Sequence, residues 1–151
     1  MSEERSRHLT FDVSASAESP TKTRVSTRGF EFVVDEPSSL GGNDEGPNPV
    51  EYLIGALAGC MNVTAHQTAR EMDLDVRNLE ITIEGDLNPA KFMGKSDEPR
   101  AGYQEIRVDV SADVDATDET IQTWLSTVEE RCPVSDNLAN GTPVALDFTP
   151  R

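Results

Sequence analysis

Large apolar side chains are scarce in this chain. One Trp, two Tyr and five Phe are spread over 151 residues, and apolar residues of every kind reach only 36%. That supplies one modest core and excludes two independent domains, so a single domain over residues 1–151 is expected. A chain this lean is expected to complete part of its core against a second subunit. Lysine is nearly missing too, with only Lys22, Lys91 and Lys95. Thirteen Lys and Arg face 28 Asp and Glu, for a net charge of −15. No basic patch is available to neutralise phosphates, so nucleic acid and anionic membrane surfaces are excluded as partners. The acid is scattered rather than gathered in a tail, the pattern of a solvated surface. Such a surface suits a protein kept soluble in a salt-rich, halophilic cytoplasm, where screening removes self-repulsion.

No long hydrophobic run occurs. The most apolar stretch, Val50 to Val63, is too short to span a bilayer and contains Glu51. Met1-Ser2-Glu3-Glu4-Arg5 is charged and leads into no apolar segment, so no secretory leader is expected. Together these readings predict a soluble cytoplasmic protein. His8 and His66 are the only histidines, and neither CxxC nor HxxxH spacing is present, which argues against zinc. The P-loop, GxGxxG and strand–GxSxG–helix signatures are also missing. No metal or organic cofactor is expected.

What remains is two cysteines, Cys60 and Cys132, each set in an amphipathic segment. The N-terminal third reads as a small antiparallel meander. A strand over His8–Ala15 is followed by a turn at Glu18-Ser19-Pro20, a strand over Thr21–Thr27, a hairpin turn at Arg28-Gly29 and a strand over Phe30–Val34. A loop rich in glycine and acid, with a turn at Gly41-Gly42, runs to Pro47. Asn48 then caps a helix with Pro49 in its first position, reaching about Glu71. At roughly 100° per residue, Leu53, Ala56, Leu57, Cys60, Val63 and Thr64 share one face. Ile54, Ala58 and Met61 extend the apolar surface almost all the way round, the mark of a buried central helix whose polar last turns leave the core. Gly55, Ala56, Ala58 and Gly59 would let another backbone approach Cys60.

Val76–Leu87 and Tyr103–Val114 alternate as two long strands of one hairpin, joined by an exposed polar loop. A second helix starts near Thr117 and places Ile121, Trp124, Leu125, Val128 and Cys132 on one face until Pro133 stops it. A short turn or helix begins at Ser135, and Pro143–Phe148 reads as a closing strand. In a reducing compartment two cysteines form a redox or catalytic pair more readily than a permanent staple. Each also fits the description of a small buried hydrophobe. Cys132, at a helix end able to move, suits a resolving thiol. Cys60 lies about three turns into its helix, where the dipole no longer helps a thiolate, so a nearby cation is needed.

The segments Leu40-Gly41-Gly42, Gly46-Pro47-Asn48-Pro49-Val50-Glu51-Tyr52-Leu53, Ala56-Leu57-Ala58-Gly59-Cys60 and Cys132-Pro133-Val134-Ser135 closely resemble the OsmC/Ohr family, as does the order of elements. The resemblance implies an α+β fold, antiparallel sheets around a central cysteine-bearing helix, in an intertwined homodimer. It further implies a thiol peroxidase acting on organic hydroperoxides. Cys60 would be the peroxidatic thiol, Cys132 the resolving one, and an external dithiol the reductant. An arginine of the N-terminal strands would lower the Cys60 pKa, with Arg24 preferred over Arg28. Val50 stands where the well-studied hydroperoxide reductases carry a glutamate, and Glu51 is about half a turn off the thiol's face. In this respect the chain looks more like the OsmC-like branch. A non-catalytic member of the fold is the rival, either binding a small apolar ligand in a pocket lined by Leu53, Leu57 and Trp124 or acting as a redox sensor.

Overall fold

A computed structural model describes residues 8–151 and divides into two compact units, Met1–Tyr52 and Leu53–Arg151. The leader-peptide reading of Met1–Arg5 falls outside the described residues. The fold is α+β, with a three-stranded and a two-stranded antiparallel sheet and three α-helices among the described residues.

In the N-terminal unit the strands are β1 (Ser14–Ala17), β2 (Thr23–Thr27) and β3 (Phe30–Val34), ordered β1-β2-β3. Arg28 and Gly29 both take positive φ, 48° and 86°. That geometry matches the right-handed twist of the flanking strands and gives the tight hairpin expected at this dipeptide. The first strand is shorter than its alternation suggests. Leu9, Phe11 and Val13 are 72%, 83% and 66% exposed, and pairing begins only at Ser14 opposite Ser26. An alternating segment becomes a strand only where an edge is there to receive it.

The loop after β3 is organised by a residue that sequence reading passes over. Asp35 is completely buried. Its carboxylate accepts the backbone N–H groups of Glu36 (2.8 Å), Asn43 (3.2 Å) and Glu45 (3.2 Å). Gly42 is packed so closely that a Cβ would lie 1.8 Å from the Glu36 carbonyl oxygen, so only glycine fits. Burial pushes the Asp35 carboxyl up. The hydrogen bonds from Glu45, Glu36, Thr21 and Asn43 outweigh it and leave the group below its ordinary value. The sign of the linkage follows. The stabilisation is complete above the ordinary carboxylate range and is lost as pH falls through the lowered pKa. Asp35→Asn should therefore lower Tm by several degrees near neutrality, with the gap to wild type closing in acid. A thermal-denaturation series over pH checks both parts, and a constant gap would refute the assignment.

Helix α1 (Pro49–Glu71) begins where the cap predicts: the Asn48 side chain accepts Glu51 N–H at 2.9 Å and its carbonyl accepts Tyr52 N–H at 3.1 Å. The Tyr52 hydroxyl donates to the Val33 carbonyl at 2.7 Å. Beyond Tyr52 the helix belongs to the second unit, with β4 (Val76–Leu87), β5 (Tyr103–Val114), α2 (Asp118–Arg131) and α3 (Pro133–Ala139). β4 and β5 form the long antiparallel hairpin, with Ile81 opposite Val110 and Ile83 opposite Val108. A bulge after Arg77 holds Asn78 at φ 51°, its side-chain amide donating to Asp113 at 2.6 Å.

The core face of α1 is not the one its pattern suggests. Leu57, Met61, Ala65, Thr68 and Ala69 are buried, whereas Val63 is 67% and Leu53 41% exposed. An almost uniformly apolar helix carries little directional information, so its packing partner chooses the face. That partner is α2: Trp124, 2% exposed, donates its indole N–H to the Ala65 carbonyl at 2.9 Å. The last turns of α1 therefore hold core through small residues. Thr68 is buried at no polar cost, since its hydroxyl bonds the Thr64 carbonyl at 2.9 Å. The expected closing strand Pro143–Phe148 does not form. Val144, Leu146 and Phe148 are 89%, 96% and 88% exposed, with no strand of this chain beside them among the described residues. No helix of the described residues is long and apolar enough to cross a membrane.

Candidate active site

Cys60 lies in the middle of α1 and Cys132 at the junction of α2 and α3; both are free thiols. The alignment of these helices brings together two residues far apart in sequence. The two thiols are neighbours, Cys60 packing against the cluster that contains Trp124, Val128 and Cys132. Cys60 is half-buried, while Cys132 has no exposed surface at all.

The Cys132 environment differs from the loose helix end expected of it. Pro133 ends α2 as predicted, but α3 starts at once, so Cys132 caps two helices together. Its N–H donates to the Val128 carbonyl and its carbonyl accepts Asp136 N–H, both at 3.0 Å. Its sulfur accepts the Ser135 N–H at 3.5 Å. A residue fixed at backbone and side chain is held in place. Burial pushes the Cys132 thiol above its ordinary value, the Ser135 and Val134 N–H groups pull the other way, and the adjacent Cys60 thiol adds to the rise. The Cys-Pro-Val-Ser order carried a signal for this double cap, since Pro is favoured in the first helical position.

The remaining candidates lie in the N-terminal unit. Arg24 sits in β2 opposite Val33, its guanidinium Nε–H paired with Glu18. Lys22 reaches the same carboxylate at 3.0 Å and Glu45 at 3.3 Å. Arg24 first and Lys22 second hold the Glu18 carboxyl below its ordinary value. Arg28 is occupied otherwise, its guanidinium 5.3 Å over the Phe30 ring. Glu51 is exposed in the first turn of α1.

A cleft of about 720 Å³ opens in the second unit, walled by Leu57 and Met61 of α1, Ile106 and Val108 of β5 and Leu138 of α3, with Arg100, Glu105 and Glu129 also lining it. Leu53 also lines it, but Trp124 does not: the ring expected in an apolar ligand pocket is in the core instead. Neither cysteine lines this cleft.

A protein-family model described as OsmC-like protein matches residues 41–147. Solved structures agree in fold. An OsmC-like protein of Mycoplasma pneumoniae superposes with a TM-score of 0.77 at 18% identity, over 89% of this chain and 91% of that one. An organic hydroperoxide resistance protein of Elizabethkingia anophelis gives 0.66 at 19%, over 90% and 91%. An OsmC-like protein of unknown function from Vibrio cholerae gives 0.68 at 11%, over 86% and 94%. Comparison with curated proteins found no match.

Proposed function

Because this chain belongs to the OsmC-like protein family, we propose that it is a thiol-dependent reductase of organic hydroperoxides. The observation that carries the reading is that two free thiols, one half-buried and one buried, are neighbours in the core, both inside the stretch that the family model matches. Cys60 attacks the terminal peroxide oxygen as its thiolate. The O–O bond breaks, the alcohol leaves with a proton, and Cys60 becomes a sulfenic acid. Cys132 then attacks that sulfur, a disulfide forms and water leaves. An external dithiol gives up two electrons and two protons to restore both thiols. Arg24 is the cation assigned to favour the Cys60 thiolate, and no metal or organic cofactor enters. The direct test is hydroperoxide consumption with a dithiol as the sole reductant. Wild-type protein should turn over many equivalents and lose that activity after treatment with N-ethylmaleimide. Consumption no faster than the protein-free control would end the reading.

The protein works as a homodimer in this proposal. Val63 on α1 and the alternating terminal segments around Phe11 and Leu146 are the surfaces a second copy would cover. Light scattering should give twice the 16.5 kDa chain mass. The setting is a salt-rich cytoplasm. Raising KCl from about 0.1 to about 1 M shortens the screening length from about 10 to about 3 Å, which should raise Tm because the net charge of −15 repels itself less. A Tm that falls or stays level would sink the halophilic reading. The cleft favours one second reading, a protein that binds an apolar ligand and does no chemistry. Its cysteines would resist alkylation until unfolding.

A further inference from the structure

We infer that electrons enter the oxidised pair at the Cys60 sulfur, and that Cys132 leaves as the shielded thiolate. The inference deepens the proposed reductase reading and rests on the pairing of the two thiols in it. A disulfide can be opened at either sulfur: the leaving thiol's pKa and the nucleophile's access both direct the attack, and access governs where one sulfur is sealed from solvent. Here access is one-sided. Cys132 has no exposed surface and is held at its amide, its carbonyl and its sulfur by Val128, Asp136 and Ser135. Cys60 is half-buried, on a turn of α1 whose Leu57 and Met61 face the core. Ala56 and Gly59 beside it are exposed, and a Cβ added at Gly59 would meet nothing within 4 Å.

A resolving cysteine on a mobile helix end would swing out after bond formation and present its own sulfur to the reductant. The fixed double cap of Cys132 reverses that order. The first thiolate of the dithiol attacks Cys60, forming a mixed disulfide there and breaking the Cys60–Cys132 bond, and the displaced electron pair leaves on Cys132, which takes a proton. The second thiol of the reductant then attacks the reductant's own sulfur. A reductant disulfide forms, and Cys60 departs as a thiolate. Cys60 thus meets both substrates in turn, peroxide and reductant, and Cys132 meets neither.

The experiment is a trapping assay. Diamide, a two-electron azo oxidant that becomes a hydrazine, closes the bond in wild-type protein without peroxide. A brief pulse of 2-mercaptoethanol, acid quench and N-ethylmaleimide labelling are followed by peptide mass spectrometry. The expected product carries mercaptoethanol on Cys60 and maleimide on Cys132, in excess over the reverse product on the order of tenfold or more. The single variants Cys60→Ser and Cys132→Ser check access separately. Native alkylation of Cys60 in Cys132→Ser should outrun that of Cys132 in Cys60→Ser by a similar factor. A mixed disulfide on Cys132, equal adducts on both, or no Cys60–Cys132 bond under diamide overturns the inference. Protein that closes the bond with diamide and traps on Cys60, yet ignores hydroperoxide, removes the reductase reading while upholding the direction of attack.

Discussion

Cys60→Ser should reduce hydroperoxide consumption to the uncatalysed rate, because a serine hydroxyl at neutral pH is too weak a nucleophile to open the O–O bond. Cys132→Ser should behave differently. Cys60 still attacks, so one equivalent of peroxide per chain is consumed in a burst, and a sulfenic acid accumulates with no internal partner. Excess peroxide then carries Cys60 on to the sulfinic acid, which thiols do not reverse. Stoichiometric titration with intact-mass readout separates the two variants: two added oxygens in Cys132→Ser, none at residue 60 in Cys60→Ser. Equal turnover in wild type and Cys60→Ser would remove the thiol mechanism altogether. The raised Cys132 thiol adds a pH signature. Its condensation with the sulfenic acid needs the thiolate, so disulfide formation should accelerate as pH rises above neutrality.

Trp124→Ala should be the most destabilising single change in the second unit, at about 3–5 kcal/mol. Trp124 is the largest fully buried side chain and fills the space between α1 and α2. Truncation leaves a cavity that two helices cannot easily collapse, and it removes the indole hydrogen bond to Ala65. At this chain length the loss corresponds to a Tm drop on the order of 10 °C. Trp124→Phe keeps most of the volume and should cost about 1–2 kcal/mol, isolating the hydrogen bond and the smaller ring. Denaturant melts of both variants provide the measurement. A Trp124→Ala loss below about 1 kcal/mol would mean that the indole is not part of the α1–α2 core. The same packing holds Cys60 beside Cys132, so the Ala variant should also slow disulfide closure under diamide.

Local chemistry made much of this legible in advance. Asn48-Pro49 and Thr117 are caps whose side chains act within one turn, and α1 and α2 start where they indicate. Over most of their length β4 and β5 alternate because one face is packed and the other wet, and their bounds and pairing follow from that period. Arg28-Gly29 supplies the two positive-φ residues that a two-residue hairpin requires. The second helix and its buried face, down to Cys132, were equally plain from spacing.

Where a choice depended on a distant partner, the sequence was silent or misleading. His8–Ala15 and Pro143–Phe148 alternate like strands but, among the described residues, pair largely or wholly with nothing, because pairing needs an edge that periodicity cannot supply. The buried stripe of α1 was set by Trp124 rather than by the helix's own pattern. Asp35 looks like any acid of an acidic protein until the Asn43–Glu45 backbone folds back onto it. For the thiols, sequence alone determined that two cysteines sit on helices and match one family's motifs. Tertiary structure decided that they are neighbours, that Cys132 is pinned and sealed, and that Cys60 is the less buried of the two. Contact and burial are properties of packed surfaces, and those exist only once α1, α2 and α3 have come together.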